Sequence, residues 1–400
     1  MTVGMNRVRI AVVISHPIQY ATPLYAYLNR DPELEVTALF CSDVSLRGAE
    51  DPGFGRRVTW DVDLLRGYDS VFLGERAQTR RVAGFWSLIC PELAVEIRKA
   101  HYDVVLVHGQ QFAAYLLAFA VAKLQGIPVM TRGETHLGLP VSRLRARVRD
   151  HVLGWQYRWI DRFLAIGSAN GEYYRALGVP DERIFQVPYS VDNERFILAS
   201  SLSTAERSAY RSRLGIEDER PILLYASKLM PRKHPDDLLR AAAQLASKGH
   251  AFHVVIAGSG EMDAELKGLA RDLELGRVTF TGFINQSELP KLYAASDVFV
   301  LAAENEPWGL IVNEVMCAGL PVVVGREVGC VPDLVKVGVN GFTCIAGNPS
   351  SLAAALEPLV ADPALRQRMG SESRRLISEW GYEQCKQGIR AAVAGLGAHA

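Results

Sequence analysis

The feature that most constrains the fold is an alternation of short apolar runs with longer amphipathic segments, which occurs twice along the chain. The first series of apolar runs lies at 8–14, 34–40, 103–107, 127–131, 162–166 and 183–188. The second series lies at 221–226, 252–258, 277–282, 297–302 and 320–325. Continuous apolar strands separated by helices are typical of parallel sheets buried on both faces. The sequence therefore predicts an α/β protein with two doubly wound, Rossmann-like domains.

A polar helical stretch between about residues 193 and 220 separates the two series. We predict an N-terminal domain over 1–195, a C-terminal domain over 196–375, and a helix over 376–400 that packs back on the first domain. Ligands of such sheets bind beyond the carboxyl ends of the strands. Two facing domains would thus create a cleft suited to a reaction of two substrates.

Charge and cysteine content exclude several classes of protein. Lysine plus arginine equals aspartate plus glutamate at 44 each, so no basic excess points to nucleic acid. The six cysteines are scattered without a CxxC pair, which argues against zinc and disulfides and favours a reducing cytoplasm. The longest apolar stretch, 112–122, is far short of the roughly 18–20 residues that cross a bilayer. The apolar run near the N-terminus is also too short for a signal peptide.

Two glutamates lie near the junction between a predicted strand and the predicted helix that follows it. Glu306 and Glu314 lie in the run EPWGLIVNE, and Pro307 favours a helix over 307–318. A helix N-terminus suits a phosphate, and eight helical residues rise roughly 12 Å. One carboxylate would hold hydroxyls near the phosphates and the other a second polyhydroxylated group, the layout of a sugar and a ribose joined by a diphosphate. The alternative is that Glu306 is an ordinary acidic residue of a first helical turn and that Glu314 faces solvent without a ligand.

Other strand ends of the second series carry residues suited to a phosphate or a sugar. Lysines would neutralise a diphosphate, and glycines would let backbone approach a ligand closely, although a tight turn is the simpler interpretation of glycines alone. These residues are Lys228, Lys233, Gly258, Gly260, Gly282 and Phe283.

The ordered motifs ASKLMPRK, IAGSGE, VTFTGF, ENEPWGLIVNE and GVNGF resemble the donor-binding half of glycosyltransferase family 4, and VPYSVDNERF resembles its interdomain junction. The resemblance covers most of 185–345 and is looser before that. It implies the GT-B fold and retaining transfer of a hexose-type sugar from a nucleotide-diphosphate sugar to an unknown acceptor. It also implies a role in polysaccharide or glycoconjugate biosynthesis. No acidic DxD-like pair follows a strand, so we expect no obligatory metal or other cofactor.

The resemblance also implies roles for individual residues. Glu314 would bind the ribose hydroxyls and Glu306 those of the donor sugar, while backbone N–H groups of Gly309 and Leu310 would meet the sugar and phosphates. Lys228 and Lys233 would bind the diphosphate.

The chain departs from the family pattern at three of its motif positions. Lys228 replaces a more usual arginine, which keeps the charge and loses the bidentate fork. His234 and Ser190 stand where glycines are typical.

The N-terminal half offers candidates for contact with the sugar or acceptor at three predicted strand ends. Relatives place a histidine near the reacting carbon close to the position of His136, which makes it a catalytic candidate. For each histidine the alternative is a structural role, such as a His-Pro turn that packs on the core. The candidates are His16, Gln19, Tyr20, His108, Arg132, Glu134 and His136.

A basic amphipathic pattern spans 143–159. Five arginines interleave with Leu144, Val148, Val152, Trp155 and Trp159; they are Arg143, Arg145, Arg147, Arg149 and Arg158. We expect either peripheral contact with a membrane, at the cytoplasmic face, or a surface helix that buries its aromatic face in the protein.

Three competing functions are compatible with two doubly wound domains. A Rossmann-type oxidoreductase is disfavoured because no GxGxxG follows the first strand. A GT-B phosphorylase or epimerase would consume a nucleotide sugar without an acceptor. A sugar-nucleotide binding module with an inactive site is disfavoured because both glutamates and both lysines are present.

Overall fold

The computed structural model describes residues 7–51, 53–139 and 143–396. By its contacts the chain divides into two compact units. Unit 1 comprises 1–49, 62–192 and 381–400, and unit 2 comprises 50–61 and 193–380. The units change at 192/193 and 380/381, whereas the sequence analysis placed its boundaries at 195 and 375. The assignment of 50–61 to unit 2 had no counterpart in the sequence analysis.

The strands, in chain order, are β1 Val8–Ile14, β2 Leu34–Phe40, β3 Ala49–Asp51, β4 Arg56–Val58, β5 Asp69–Phe72, β6 Val104–Val107, β7 Val129–Thr131, β8 Arg162–Ala165, β9 Ile184–Gln186, β10 Ile222–Ala226, β11 His253–Ala257, β12 Val278–Gly282, β13 Val298–Leu301, β14 Val322–Gly325 and β15 Gly341–Cys344.

The helices are α1 Thr22–Leu28, α2 Val44–Arg47, α3 Glu92–Lys99, α4 Ala113–Leu124, α5 Arg143–Tyr157, α6 Ser168–Ala176, α7 Asn193–Ala199, α8 Thr204–Arg213, α9 Pro235–Ser247, α10 Asp263–Asp272, α11 Leu289–Ala295, α12 Ile311–Cys317, α13 Val331–Leu334, α14 Pro349–Ala361, α15 Pro363–Ser378 and α16 Tyr382–Val393.

Unit 1 is built on a parallel sheet of seven strands in the order β5-β2-β1-β6-β7-β8-β9. Strand β1 is an interior strand of this sheet, with Ile10 opposite Val36 on one side and Val104 on the other. Alternate residues of β1 enter two separate apolar cores, one with α1 and α16 and the other with α3 and α4. Helix α16, the C-terminal helix of the described chain, packs against β8, β9 and α1.

Unit 2 contains a parallel sheet of six strands in the order β12-β11-β10-β13-β14-β15. Every residue of its central strand β10 is buried. Its larger core cluster joins this sheet to α9, α10 and α14. Strands β10 and β13 are neighbours, although β13 begins at Val298, 72 positions after β10 ends at Ala226. The loops that follow the two strands therefore lie side by side at one edge of the sheet.

The α/β prediction with two Rossmann-like sheets is confirmed, and each predicted strand is present. Four strands were missed: β3 and β4, which pair with each other in a separate two-stranded sheet, and β5 and β15 of the two large sheets. Strands β5 and β15 each lie at the edge of their sheet and lack a continuous apolar run.

Candidate functional site

A buried ion cluster lies at the carboxyl ends of β10 and β13. Lys233 ends the short 3₁₀ turn Pro231–Lys233 after β10, and its ammonium forms a salt bridge with the Glu306 carboxylate after β13. Arg232 Nη1 lies 3.1 Å from the same carboxylate oxygen. Only 9% of the Lys233 side chain and 14% of the Glu306 side chain are exposed. The sequence pointed to Lys233 and Glu306 separately, and the structure brings them into direct contact.

The electrostatics lower the pKa of both partners of this pair. Burial raises the pKa of the Glu306 carboxyl, but Lys233 and Arg232 outweigh it, so the pKa lies below its ordinary range. For Lys233, burial lowers the pKa of the ammonium more than Glu306 raises it. With Arg232 included, two cations face one carboxylate, which leaves positive charge available for an anionic ligand.

The segment before Glu314 differs from the prediction. Helix α12 begins at Ile311 rather than at 307, because Asn305 and Gly309 adopt left-handed backbone conformations with φ of 53° and 87°. Trp308 anchors this loop by donating its indole N–H to Asn313 Oδ1 at 2.9 Å and by stacking on Trp380. Gly309 and Leu310 therefore precede the helix instead of lying within its first turn.

Glu314 lies in the second half of the same motif and is paired with a tyrosine. The Tyr293 hydroxyl donates to Glu314 Oε2 at 2.6 Å. Burial raises the pKa of Glu314 to about 7, although the Tyr293 hydroxyl and the nearby Arg195 oppose this shift. Sequence reasoning missed Tyr293, which stands in the helical run LYAASD with no motif to mark it.

The glycines that follow β11 serve a packing role. A Cβ on Gly258 would lie 2.0 Å from the carbonyl oxygen of Ser227, and one on Gly260 would lie 2.3 Å from that of Leu229. Any side chain there would collide with the loop after β10. Gly282 ends β12 with φ of 71°, and Phe283 follows it.

Lys228 pairs with a residue from the N-terminal half of the sequence. Its Nζ donates to both carboxylate oxygens of Asp51 at 2.8 and 2.9 Å. Asp51 belongs to the segment 50–61 of unit 2, which we call the strap. The strap also meets Ser259 and Phe283. Sequence reasoning did not identify this partner.

One group among the described residues has metal-ligand geometry. His234, Asp236 and Asp237 each offer one ligand atom within 4.8 Å of the others. Asp237 already accepts the backbone N–H of Gly347 at 2.8 Å. His234 has φ of 45°, a left-handed value that accords with the glycine usual there in the family it resembles. The expectation of no obligatory metal remains a prediction.

Unit 1 contains a cavity of about 510 Å³ at the carboxyl ends of its strands. Five residues predicted for sugar or acceptor contact line it: His16, Tyr20, His108, Arg132 and Glu134. Further tyrosines and amides complete the wall, among them Gln110, Tyr115, Asn170 and Tyr189. The cavity therefore offers many hydrogen-bonding groups and aromatic faces.

Both cavity histidines are neutral at physiological pH. Burial lowers the pKa of His16 to about 4 and that of His108 to about 3. Arg132 is buried and donates to the carbonyl oxygens of Val187 and Pro188. Neutral imidazoles can donate and accept hydrogen bonds, which suits hydroxyl groups.

Two N-terminal candidates lie apart from this cavity wall. Gln19 and His136 are not among the residues that line the cavity. His136 is buried, and its Nδ1 accepts the backbone N–H of Gly138 at 3.1 Å.

Helix α5 carries an exposed aromatic face in the part whose side chains are described. Val152 is 55% exposed, Trp155 61% and, just after the helix, Trp159 55%. The interpretation in which this face is buried in the protein does not hold for these residues. The side chains of 143–149, with four of the arginines, lie outside those described. Among the described residues, no helix combines the length and apolar character needed to cross a membrane.

Comparison with known proteins is consistent with this geometry. The sequence model of the family described as glycosyl transferases group 1 matches residues 206–376, and that of the glycosyl transferase 4-like domain matches residues 17–190. The two parallel sheets and the motifs at their strand ends define a two-domain transferase of the GT-B class. The chain belongs to the glycosyltransferases of the family 4 type.

Three similar proteins illustrate the range of relatives. The alpha-D-kanosaminyltransferase of Streptomyces kanamyceticus is 28% identical over 273 residues, 66% of this chain and 69% of the relative. The D-inositol 3-phosphate glycosyltransferase of Geodermatophilus obscurus is 26% identical over 337 residues, 80% of this chain and 72% of the relative. The structure of Anabaena HepE in complex with UDP and glucose superposes with a TM-score of 0.70 at 19% identity, covering 97% of this chain and 100% of HepE.

Proposed function

We propose that this glycosyltransferase moves a hexose-type sugar from a nucleotide-diphosphate sugar to a hydroxyl of its acceptor, with retention of the anomeric configuration. The observation that carries the proposal is the buried cluster of Lys233, Arg232 and Glu306 where β10 and β13 end. The structure of HepE in complex with UDP and glucose supports a donor of this kind. A role in polysaccharide or glycoconjugate biosynthesis is part of the proposal and rests on the family resemblance.

In the proposed reaction the bond between the anomeric carbon and the diphosphate oxygen breaks, and the acceptor oxygen bonds to that carbon on the same face. The acceptor proton passes to the departing diphosphate. Lys233, Arg232 and Lys228 stabilise the charge that develops on the leaving group. Glu306 accepts hydrogen bonds from the sugar hydroxyls while it holds Lys233 in place.

The nucleoside end of the donor is assigned to Glu314. Its carboxylate accepts the Tyr293 hydroxyl through Oε2, and its other oxygen remains suited to ribose hydroxyls. The roles of Gly309 and Leu310 in meeting the sugar and phosphates through backbone N–H groups rest on the resemblance. So does the catalytic role of His136.

The acceptor is assigned to the cavity of unit 1. Its volume of about 510 Å³ and its lining of tyrosines, amides and neutral histidines suit a polyhydroxylated molecule. The hydroxyl, amide and imidazole groups that line the cavity can form hydrogen bonds with several hydroxyls of one ligand.

We assign three further properties to the protein. Transfer proceeds without a bound metal, because lysine and arginine side chains neutralise the diphosphate charge. We expect the transfer rate to stay unchanged after chelation with EDTA. A loss of rate that magnesium restores would contradict this. The six buried, unbridged cysteines fit a cytoplasmic setting. The exposed tryptophans near α5 support contact with a membrane surface, and the balanced charge gives no support for a nucleic-acid partner.

The proposal is tested by screening UDP-, GDP- and ADP-sugars for thermal stabilisation. A ligand at a hundred times its dissociation constant adds about 2.7 kcal/mol to the free energy of unfolding. The stabilising donor is then incubated with candidate acceptors, and NMR of the product gives its anomeric configuration. Consumption of the donor without an acceptor would indicate a phosphorylase or epimerase, and nicotinamide absorbance in the purified protein an oxidoreductase.

Lys233→Gln and Lys291→Gln form a matched pair for the same assay. Lys291 forms an exposed salt bridge with Glu288, three residues before it in the sequence. Transfer falls strongly in Lys233→Gln and stays normal in Lys291→Gln. Equal rates in the two variants would remove Lys233 from the proposed site.

A further inference from the structure

The strap carries an acidic group onto a lysine that the family resemblance assigns to the diphosphate. Asp51 holds Lys228 through both carboxylate oxygens. The carboxylate is fixed by the strap itself, since Oδ1 accepts the backbone N–H of Gly53 at 2.8 Å and of Phe54 at 3.2 Å. Gly53 allows the close approach, because a Cβ there would lie 2.6 Å from Lys228 Cδ. Asp51 is therefore preorganised to face this lysine.

The rest of the strap crosses the ends of neighbouring strands. The Phe54 carbonyl accepts the Ser259 hydroxyl, after β11, at 2.9 Å. The Phe54 ring packs edge to face against Phe283, after β12, with 5.0 Å between the ring centroids. The Lys228 ammonium lies 4.8 Å from the centroid of the Phe54 ring. Asn285 donates to the Thr59 carbonyl at 2.8 Å. The strap thus covers several positions that the resemblance assigns to the donor.

The Asp51 carboxylate and a phosphate ligand would compete for the Lys228 ammonium, because both are anions. Lys228 and Asp51 are about one-third exposed, at 34% and 28% of their side chains, so solvent screens the pair only partly. A phosphate that reached Lys228 would come close to the Asp51 carboxylate, and the two anions would repel each other. Such a ligand must displace Asp51 or bind against its repulsion.

We propose that Asp51 is an internal competitor for the donor's diphosphate at Lys228, and so a determinant of donor affinity. The inference rests on the proposed function, since it assigns Lys228 to the diphosphate. In the absence of donor, Asp51 occupies the lysine and the strap lies on the strand ends. When a nucleoside diphosphate binds, its phosphate takes over the ammonium and the Asp51 carboxylate moves into solvent.

The test compares two variants that each remove one negative charge and one anchor of the strap. Asp51→Asn unmasks Lys228. Asp61→Asn is the control, because Asp61 accepts the Ser287 backbone N–H at 3.1 Å and makes no contact with the lysine. UDP, GDP and ADP are titrated by calorimetry into the full chain, and melting curves verify that each variant folds.

We expect Asp51→Asn to bind the preferred nucleoside diphosphate about fivefold more tightly, which corresponds to the upper value for a solvent-accessible ion pair. Asp61→Asn binds it within about twofold of the wild type. In a protein that already carries Lys228→Met, Asp51→Asn no longer raises the affinity.

Three results would overturn the inference: no gain in Asp51→Asn, an equal gain in Asp61→Asn, or a gain that survives Lys228→Met. Those results leave the proposed function standing as long as the wild type binds a nucleotide. If the wild type and both variants bind none of the three nucleotides, the proposed function itself fails.

Discussion

Replacement of Glu306 by glutamine probes the ion cluster most sharply, because it removes one charge and almost no volume. In Glu306→Gln, Lys233 and Arg232 lose their shared carboxylate, while Lys233 stays buried. The coulombic attraction of one such pair at about 3 Å is roughly 5 kcal/mol at an effective dielectric constant of 20. Breaking a buried pair costs about 3–5 kcal/mol. Since Arg232 is 39% exposed and can be rehydrated, we expect the lower end of this range.

A loss of about 3 kcal/mol lowers the melting temperature of a unit of this size by roughly 6–12 °C. Donor turnover falls by about a hundredfold or more, because the glutamine holds neither the sugar hydroxyls nor the lysine with full strength. The assay combines thermal melting with kcat/KM for the preferred nucleotide sugar. The matched control is Glu304→Gln, in the same loop; the Glu304 side chain is 43% exposed, and its carboxylate lies 3.7 Å from His234.

The pH dependence provides an internal check. The pKa of Glu306 is held below its ordinary value of 4.5, so its contribution to stability is present above pH 4.5 and is lost as pH falls through the lowered value. The difference in melting temperature between wild type and Glu306→Gln therefore narrows in acid. A variant that melts within about 2 °C of the wild type at pH 7 and turns over normally would refute the reasoning.

Two further changes test other parts of the account. Burial raises the pKa of Glu314 from 4.5 to about 7. Its contribution to the free energy of unfolding is therefore fully present below pH 4.5 and is lost as the pH rises to 7. Glu314→Gln should abolish this decline and be the more stable protein at pH 8; melting curves that fall in parallel would contradict it. Trp155→Ser combined with Trp159→Ser should weaken binding to anionic lipid vesicles by about tenfold or more, through lost apolar burial. Trp86→Ser, also exposed in unit 1, should not, and equal losses would contradict membrane contact near α5.

The sequence was sufficient for the architecture because buried parallel strands leave long apolar runs. Strand β10, which is buried along its whole length, reads ILLYA, and its neighbour β13 reads VFVL. The edge strand β15, by contrast, reads GFTC, which begins with glycine and contains a polar residue. An edge strand is supported on one side only, so its sequence carries less of the pattern on which the prediction depends.

The start of α12 shows how local context overrides a capping signal. Proline at 307 favours a first helical turn there. Gly309, however, takes a left-handed conformation, and a Cβ at this position would lie 3.0 Å from Val328 Cγ1. The tertiary contact of Trp308 with Trp380 fixes the loop instead. A sequence window cannot include a partner 72 residues away.

Candidate site residues could be selected from the sequence one at a time, but their pairings could not. Glu306 and Lys233 follow recognisable strand ends, but 73 residues separate them in the chain. Lys228 and Asp51 are 177 residues apart, and Asp51 stands in a polar segment without a motif. Such pairs depend on which strands become neighbours and on where a loop crosses, both of which the fold decides.

A crystal structure of the protein with its preferred nucleoside diphosphate would show where the donor binds. We expect the diphosphate to lie within hydrogen-bonding distance of the Lys233 ammonium, and the ribose hydroxyls to contact the Glu314 carboxylate. A nucleotide bound in the cavity of unit 1, or at a surface of unit 2 away from Lys233 and Glu314, would contradict this expectation.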